Sequence, residues 1–218
     1  MLLAIDTSAG TSVALAAADP ASPGGYRVRA ERGTPDTMRH AEVIGAMIRD
    51  CLVDAGIPAS EVTAVVAGMG PGPFTGLRVG IAAARAFALG RSIPVLPVVS
   101  HDAVAFDAFP DPSSAAAGAP PERVVVVTDA RRRELYWSVY HAPSADGIPI
   151  RVDGPRLSAP DGVPHDLRRI DATVIPAGSL GVLAGRMRDR GDRFAAGDAL
   201  YLRSPDVTPS RGQKRVTS

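Results

Sequence analysis

The amino-acid sequence predicts an α/β protein of two lobes, each holding a mixed sheet flanked by helices, with the second lobe reduced. Three observations predict this class. Short apolar strands open the chain, a β-branched strand leads through a glycine turn into a long helix, and a strand–Asp–strand pattern at Asp6 returns at Asp129. Such a repeat fits a duplicated lobe. We therefore expect a first lobe at 1–105, a smaller second lobe at 106–203 and a disordered tail at 204–218.

The N-terminal segment predicts a three-stranded meander. Apolar residues fill 2–5, and after Ser12 they continue to 18. Residues 26–32 alternate apolar with charged side chains, which is typical of a half-exposed edge strand. Asp6-Thr7-Ser8 ends the first strand, where side-chain oxygens commonly hydrogen-bond the backbone of a turn. A capped turn explains these residues, and so does a hairpin that faces a ligand.

Residues 38–55 predict the first helix, with Asp36 or Thr37 as its N-cap and Gly56 and Pro58 at its end. Packing on a sheet accounts for most of its apolar face. The apolar side chains cover a wider part of the helix surface than one sheet-facing stripe, which suggests that the helix also packs against a second partner. Its apolar residues are Met38, Val43, Ile44, Met47, Ile48, Cys51, Leu52 and Ala55.

The stretch 65–90 predicts a buried strand, a tight glycine turn and a long helix. Pro73 suits the first helical turn and Gly90 suits the helix end. A glycine-rich turn at a helix N-terminus can bind phosphate, but it also serves simply to turn the chain. Neither the P-loop nor the dinucleotide-binding pattern is complete, because no Gly-Lys-Ser/Thr follows and the third glycine is misplaced.

Small residues and arginines mark two faces of this long helix. Gly76 and Gly80 are four residues apart, so another helix could approach closely. Arg78 and Arg85 are seven apart and share one face, which is either solvated or orients a partner protein.

The rest of the chain predicts the second lobe. An Arg131-Arg132-Arg133 turn is either solvated or contacts RNA phosphate. The predicted segments are strands at 93–99, 124–128, 134–141 and 172–175, helices at 100–109 and 180–190, and a linker-like loop at 110–121.

Composition excludes several classes of protein. The net charge of +1 gives no general attraction to nucleic acid or membrane, and Cys51 is the single cysteine, which fits a reducing compartment. The N-terminus lacks a signal-peptide pattern, and no apolar run could span a bilayer. The four histidines show no metal-ligand spacing, and no GxSxG elbow is present. We expect a cytoplasmic protein without a metal site or catalytic residues of its own.

The segment GPGPFTGLR at 70–78 resembles the GPGSFTGLR hallmark of the TsaB (YeaZ-like) family, with Pro73 in place of the usual serine. Further matches cover most of the chain. The matching positions are Gly70, Gly72, Phe74, Thr75 and Gly76 of the loop, Asp6-Thr7-Ser8, Asp129-Ala130-Arg131, Glu134, Tyr136 and Trp137, and Tyr201-Leu202-Arg203.

The resemblance implies the fold of the actin, Hsp70 and sugar-kinase superfamily and a place in the machinery that makes N6-threonylcarbamoyladenosine on tRNAs reading ANN codons. In that family the paralogue TsaD performs the transfer, TsaB is a non-catalytic dimerisation subunit, and the ATPase TsaE joins them. We therefore expect a TsaD-like and a TsaE-like partner, a homodimer when alone, and tRNA contact only through the complex. ATP or ADP and metal are expected on the partner subunits.

The resemblance also assigns residues. TsaD-like paralogues carry an HxxxH metal motif, and here His101 is followed by Ala105 in place of the second histidine. Asp6, Thr7, Ser8 and Asp129 would then be vestigial nucleotide contacts. The family's dimer surface uses two helices of the first lobe, which assigns the partner interface to Met47, Ile48, Cys51, Leu77, Arg78, Ile81 and Arg85.

Two other functions stay open. The chain could be an autonomous ATP-binding enzyme, either a kinase or ATPase or a protease-like protein, although the broken HxxxH and the missing nucleophile argue against it. It could also bind tRNA directly, which would need a basic stripe. A turnover assay of the isolated protein tests the first, and a salt-dependent tRNA titration tests the second.

Overall fold

A computed structural model of the chain describes residues 1–22, 25–109, 122–143 and 147–203. The first sheet has five strands in the order β3-β2-β1-β4-β5. They are β1 Leu2–Asp6, β2 Thr11–Ala18, β3 Tyr26–Thr34, β4 Ala64–Gly68 and β5 Val95–Val98. β1, β2 and β3 form an antiparallel meander, and β4 pairs in parallel with both β1 and β5. β1 is buried along its length because helices cover both faces. β3 is an edge strand, as predicted, but most of its residues are exposed and its burial does not alternate as the sequence pattern predicts.

The second sheet repeats the arrangement of the first four strands. Its order is β8-β7-β6-β9, with antiparallel β6–β7 and β7–β8 pairs and a parallel β9. Asp6 lies opposite Ser12 at the end of the β1–β2 ladder, and Asp129 lies opposite Leu135 at the equivalent end of β6–β7. The two sheets therefore share one strand order, as the predicted duplication requires. The strands are β6 Arg123–Asp129, β7 Leu135–His141, β8 Ile150–Ser158 and β9 Arg168–Asp171.

The α-helices of the described ranges are α1 His40–Ala55, α2 Phe74–Arg91, α3 Ser100–Ala108 and α4 Ala177–Arg190. α1 and α2 cover one face of the first sheet and enclose a core that contains Leu3 and Ile5. On the other face, a second core runs from the first sheet through Leu183 of α4 to Val126 of β6. This core joins the two sheets. None of the described helices has both the length and the apolar character needed to cross a membrane.

The predicted lobe boundary does not coincide with a break in packing. Residue 105 falls inside α3, and α4, which was assigned to the second lobe, packs on β1, β2 and β3 of the first. The predicted linker at 110–121 and the predicted tail at 204–218 lie outside the described residues.

Several predicted element ends are wrong. Neither Asp36 nor Thr37 caps α1: the N-cap is Arg39, without a side-chain hydrogen bond, and the Asp36 carboxylate accepts from the Met38 backbone instead. α2 runs past Gly90 and ends at Arg91, and the left-handed backbone of the C-cap residue Ser92 closes the last turn. A strand at 172–175 is absent, because the pairing strand is the arginine-rich β9, which lacks an apolar pattern.

Candidate functional site

Asp6 is buried and fully hydrogen-bonded at the end of β1. Its Oδ1 accepts from the Ser8 backbone at 2.7 Å and the Ser8 hydroxyl at 2.6 Å, and its Oδ2 accepts from the Ser100 hydroxyl at 2.5 Å. Ser100 Oγ in turn accepts from the Gly70 backbone at 2.9 Å. Burial raises the pKa of Asp6, while the bonds from Ser100 and Ser8 act the other way. The carboxylate thus links the first hairpin, the glycine loop and α3, and its oxygens face protein donors.

Thr7 inserts its side chain into α2. Thr7 Oγ1 donates to the Gly76 carbonyl at 2.7 Å and accepts from the Gly80 N–H at 3.0 Å, the two groups that an uninterrupted helix would bond to each other. A Cβ at Gly80 would overlap Thr7 Oγ1, and one at Gly76 would lie 2.7 Å from the Thr7 carbonyl oxygen. The prediction that these glycines admit another helix is wrong, because they admit the first hairpin.

We expect Gly80→Ala to lower the free energy of unfolding by about 2 kcal/mol, because the methyl group displaces the Thr7 hydroxyl and breaks its two bonds. The matched control on the same helix is Gly90→Ala, where a Cβ meets nothing within 4 Å. That change should raise stability by about 0.5 to 1 kcal/mol through helix propensity. Urea denaturation of both variants followed by circular dichroism measures the difference, and equal effects would contradict the role of Thr7.

The glycine loop packs closely against the first hairpin. A Cβ at Gly72 would lie 2.8 Å from the Ser8 backbone, and Gly70 has a φ of 93° that favours glycine. The Gly70 carbonyl accepts from the Ser100 backbone at 2.8 Å. Thr75 is exposed. Gly70 therefore uses both its backbone groups inside the protein.

Three residues of the predicted partner interface lie in the core instead. Cys51 and Leu77 are 0% exposed and Ile81 is 7% exposed, all packed between the helices and the first sheet. This part of the prediction is wrong, because the apolar stripe that covers the sheet and a stripe that faces outward look alike in sequence. Burial also raises the pKa of the Cys51 thiol to about 11, which keeps it unreactive at neutral pH.

The arginine face of α2 is contacted by a later segment of the same chain, although Arg78 and Arg85 stay exposed. Residues 194–203, here called the strap, run back over α2 and the glycine loop, with the Leu200 N–H donating to the Met69 carbonyl at 2.8 Å. The Tyr201 ring lies 4.8 Å from the Phe74 ring, and the Arg78 guanidinium stacks on Phe74 at 3.7 Å. Arg85 donates to the Gly197 carbonyl at 2.6 Å. Arg78 and Arg85 hold the strap, a role that the sequence reading did not consider.

The remaining two interface residues, Met47 and Ile48, are half-buried on α1. Ile48 borders an open apolar groove of about 390 Å³ on the outer side of this helix. Val53, beside it, is 71% exposed, so its apolar side chain faces solvent at the edge of the groove. The groove is lined by Gly45, Ile48, Arg49, Leu52, Val53, Gly56 and Ile57.

His101 is a neutral, buried link between α3 and the second sheet. Its Nδ1 bonds the Ser138 hydroxyl at 2.9 Å and its Nε2 bonds the Thr128 hydroxyl at 3.0 Å. Burial lowers its pKa to about 3. Ala105, one helical turn later, is buried. Among the described residues, no group of three His, Cys, Asp or Glu side chains is placed to hold a metal ion.

Asp129 is the counterpart of Asp6, but it is exposed. Its Oδ1 accepts from the Arg131 backbone at 2.9 Å in a turn like that of Asp6 and Ser8. Arg131, Arg132 and Arg133 are exposed and have φ values of 64°, 54° and 63°, so the basic turn is left-handed throughout. Asp129 and Arg131 border a cleft of about 320 Å³ between the ends of the two sheets, which Ser8 and Thr128 also line.

Comparison with known proteins gives matches along most of the chain. The family model described as TsaD, tRNA N6-adenosine threonylcarbamoyltransferase, matches residues 36–145, about half of the chain. An uncharacterised protein of Mycobacterium tuberculosis is 39% identical over 199 residues, which cover 84% of this chain and 83% of that protein. The tRNA threonylcarbamoyladenosine biosynthesis protein TsaB of Haemophilus influenzae is 37% identical over 99 residues, covering 45% of this chain and 39% of that protein.

A solved structure extends the similarity to the fold. YeaZ from Pseudomonas aeruginosa superposes with a TM-score of 0.70 at 28% identity, covering 92% of this chain and 99% of that one.

Proposed function

The chain belongs to the TsaB (YeaZ-like) family, and from that premise we propose that it is the non-catalytic pairing subunit of a tRNA threonylcarbamoyladenosine machinery. It pairs with a TsaD-like paralogue, which performs the transfer and holds the nucleotide and metal, and a TsaE-like ATPase joins the assembly. Alone it forms a homodimer, and it meets tRNA only through the complex. The proposal includes a cytoplasmic location and the fold of the actin, Hsp70 and sugar-kinase superfamily.

The hydrogen bonds of the first hairpin support the proposal that this chain has no catalytic activity of its own. In a nucleotide-binding member, an acidic first hairpin would face phosphate and metal, whereas here Asp6 faces Ser8 and Ser100 and Thr7 is engaged by α2. His101 is neutral and bonded through both ring nitrogens. These groups act as structural links between elements.

The pairing role is carried by the groove on the outer side of α1. Val53 presents an apolar side chain to solvent beside Ile48 and Leu52, and Gly45 leaves open space above the helix. The apolar lining of this groove, on a helix whose other face already packs on a sheet, supports its assignment as the contact with another protein. We therefore move the proposed interface from Cys51 and the buried face of α2 to this groove.

The test is co-purification and size exclusion with the TsaD-like paralogue from the same organism. Wild type should form a 1:1 complex, and Val53→Glu should weaken it at least about tenfold, because a charge replaces an apolar side chain in the contact and must be desolvated there. Ile150→Glu on β8 is the control, since Ile150 is 50% exposed but lies on the other sheet. Equal binding by both variants would move the interface away from α1, and no complex with wild type would overturn the pairing role.

The cleft between the ends of the two sheets is the place where a nucleotide would bind if the protein were an enzyme. Ser8, Thr128, Asp129 and Arg131 line it, and hydroxyl, carboxylate and guanidinium groups are the types that contact nucleotides. Titration of the isolated protein with ATP and Mg²⁺, followed by a turnover assay, separates this alternative from the pairing role. Saturable binding with turnover would favour an enzyme.

The exposed turn of Arg131, Arg132 and Arg133 favours the tRNA-binding alternative. If it contacts phosphates, tRNA affinity of the isolated protein should fall steeply with salt and should drop when the three arginines are replaced. A tRNA titration at two salt concentrations decides it.

A further inference from the structure

The last residues of the strap join α2 to the basic turn 131–133 between β6 and β7. At the α2 side, the Leu200 N–H donates to the Met69 carbonyl, and Arg78 Nε donates to the Tyr201 hydroxyl at 3.3 Å. Two residues later, Arg203 contacts the second sheet on either side of the basic turn. One short segment therefore connects two surfaces that belong to different sheets.

Arg203 holds the basic turn at both of its ends. Its guanidinium donates to the Ala130 carbonyl at 2.9 Å, before the turn, and pairs with the Glu134 carboxylate after it. Glu134 Oε2 is buried, and among the described residues no other cation pairs with this carboxylate. Loss of Arg203 would leave a buried carboxylate oxygen without its counter-charge, which is unfavourable while the turn keeps its present form.

The turn that Arg203 holds has an unfavourable backbone. Arg131, Arg132 and Arg133 all have positive φ, a conformation that is costly for residues with a Cβ. Strained segments of this kind persist only where the surrounding structure fixes them. Two backbone hydrogen bonds close the turn, from the Ala130 N–H to the Glu134 carbonyl at 3.0 Å and from the Glu134 N–H to the Arg131 carbonyl at 3.1 Å. The contacts of Arg203 therefore act on the residues that close the strained turn.

The attachment of the strap to α2 uses neutral acceptors. Arg78 donates to the Tyr201 hydroxyl and Arg85 donates to the Gly197 carbonyl. In the described ranges, neither guanidinium forms an ion pair. Because a carboxylate is a stronger acceptor for a guanidinium than a hydroxyl or a carbonyl, a carboxylate-bearing partner on this face of α2 would compete with the strap.

We propose that the strap is a latch that keeps the basic turn in its left-handed form, and that its release from α2 lets the turn relax. Arg203 fastens the latch to the turn, and Tyr201 fastens it to α2. The turn also borders the cleft, where Arg131 contacts the Thr37 hydroxyl, so relaxation would remove this contact as well. The latch does not depend on the pairing role, because the isolated chain contains all of it.

Hydrogen exchange of the isolated full chain tests the latch at the Ala130 and Glu134 amides, whose hydrogen bonds close the turn. Arg203→Ala should raise both exchange rates about tenfold or more, because the turn opens more often without its clamp. The amides of β1 should keep their wild-type rates, since they report on opening of the first sheet.

A variant at the other end of the strap tests the coupling. Tyr201→Ala removes contacts with α2, yet it should raise the exchange rates of the Ala130 and Glu134 amides at least about threefold. Leu89→Ala is the control on α2, since Leu89 is exposed and has no hydrogen bond or ring contact with the strap. It should leave both rates unchanged.

Two replacements of Arg133 test the strain. Arg133→Gly and Arg133→Ala remove the same charge, but only glycine adopts positive φ without cost. In the Arg203→Ala background, the turn amides of the glycine variant should exchange at least about fivefold more slowly than those of the alanine variant.

Three results would overturn the latch. The first is unchanged exchange of the turn amides in Arg203→Ala, or an equal rise at the β1 amides, which would mean that the strap stabilises the whole fold. The second is a rise in Tyr201→Ala that is confined to the strap itself. The third is equal exchange in the glycine and alanine variants of Arg133, which would show that the strap holds no strained turn.

Discussion

Replacing Asp6 by alanine should lower the free energy of unfolding by about 3 kcal/mol or more, because three buried donors lose their acceptor together. The donors are the Ser8 backbone, the Ser8 hydroxyl and the Ser100 hydroxyl. Urea denaturation at neutral pH, followed by circular dichroism, measures the loss. Asp6→Asn keeps one acceptor oxygen and should be intermediate.

The fold supplies a matched control for this variant. Asp129 occupies the same place in the second sheet and makes the same type of turn, but its side chain is exposed. Asp129→Ala should therefore cost no more than about 0.5 kcal/mol. If the two alanine variants lose equal stability, Asp6 does not link the hairpin, the glycine loop and α3 as described.

Replacing His101 by leucine should destabilise the protein by about 2 to 4 kcal/mol, because the hydroxyls of Ser138 and Thr128 would be left buried without their partner. His165 is the control, since it is exposed and its replacement should have little effect. Thermal and urea denaturation measure both. A small loss for His101→Leu would mean that the two hydroxyls find other partners.

Because the pKa of His101 is lowered, we expect the free energy of unfolding to fall at acid pH. Its pKa is about 3 in the folded chain and about 6.5 when unfolded, so the unfolded state binds the proton more tightly. Stability is therefore lost as the pH falls from about 6.5 towards 3, by up to about 1.4 kcal/mol per pH unit. Burial raises the pKa of Asp6 and Asp102, which acts in the opposite direction. The difference between wild type and His101→Gln isolates the histidine, and parallel pH curves would contradict the assignment.

The sequence was sufficient to predict the fold where hydrophobic pattern and chain order carry the information. The meander, the long helix after the glycine turn and the repeated strand–Asp–strand unit follow from apolar periodicity, which local burial enforces. β8 and β9 were missed because they lie at the edges of the second sheet, where half of each strand is solvated and Arg168 and Arg169 replace an apolar run.

The candidate site was predicted less well, because its geometry depends on contacts between distant residues. Gly80 signals a close approach, but only the fold reveals that Thr7 makes it. The sequence around the strap does not predict its position either, because the contact between Tyr201 and Phe74 joins residues that are far apart in the sequence. The sequence of α1 does not distinguish apolar residues that face the sheet from apolar residues that face solvent. The predicted interface therefore includes the buried Cys51 and lacks the exposed Val53.

α4 is made late in synthesis but packs on strands that are made first. α4 is the last described helix, yet it covers the inner face of β1 and β2, where Ala4, Ala14 and Ala16 belong to its core. A nascent chain therefore makes the first sheet early and leaves this apolar face bare until residues beyond 177 have left the ribosome. The N-terminal half therefore lacks the helix that covers this face of the first sheet until α4 has been made.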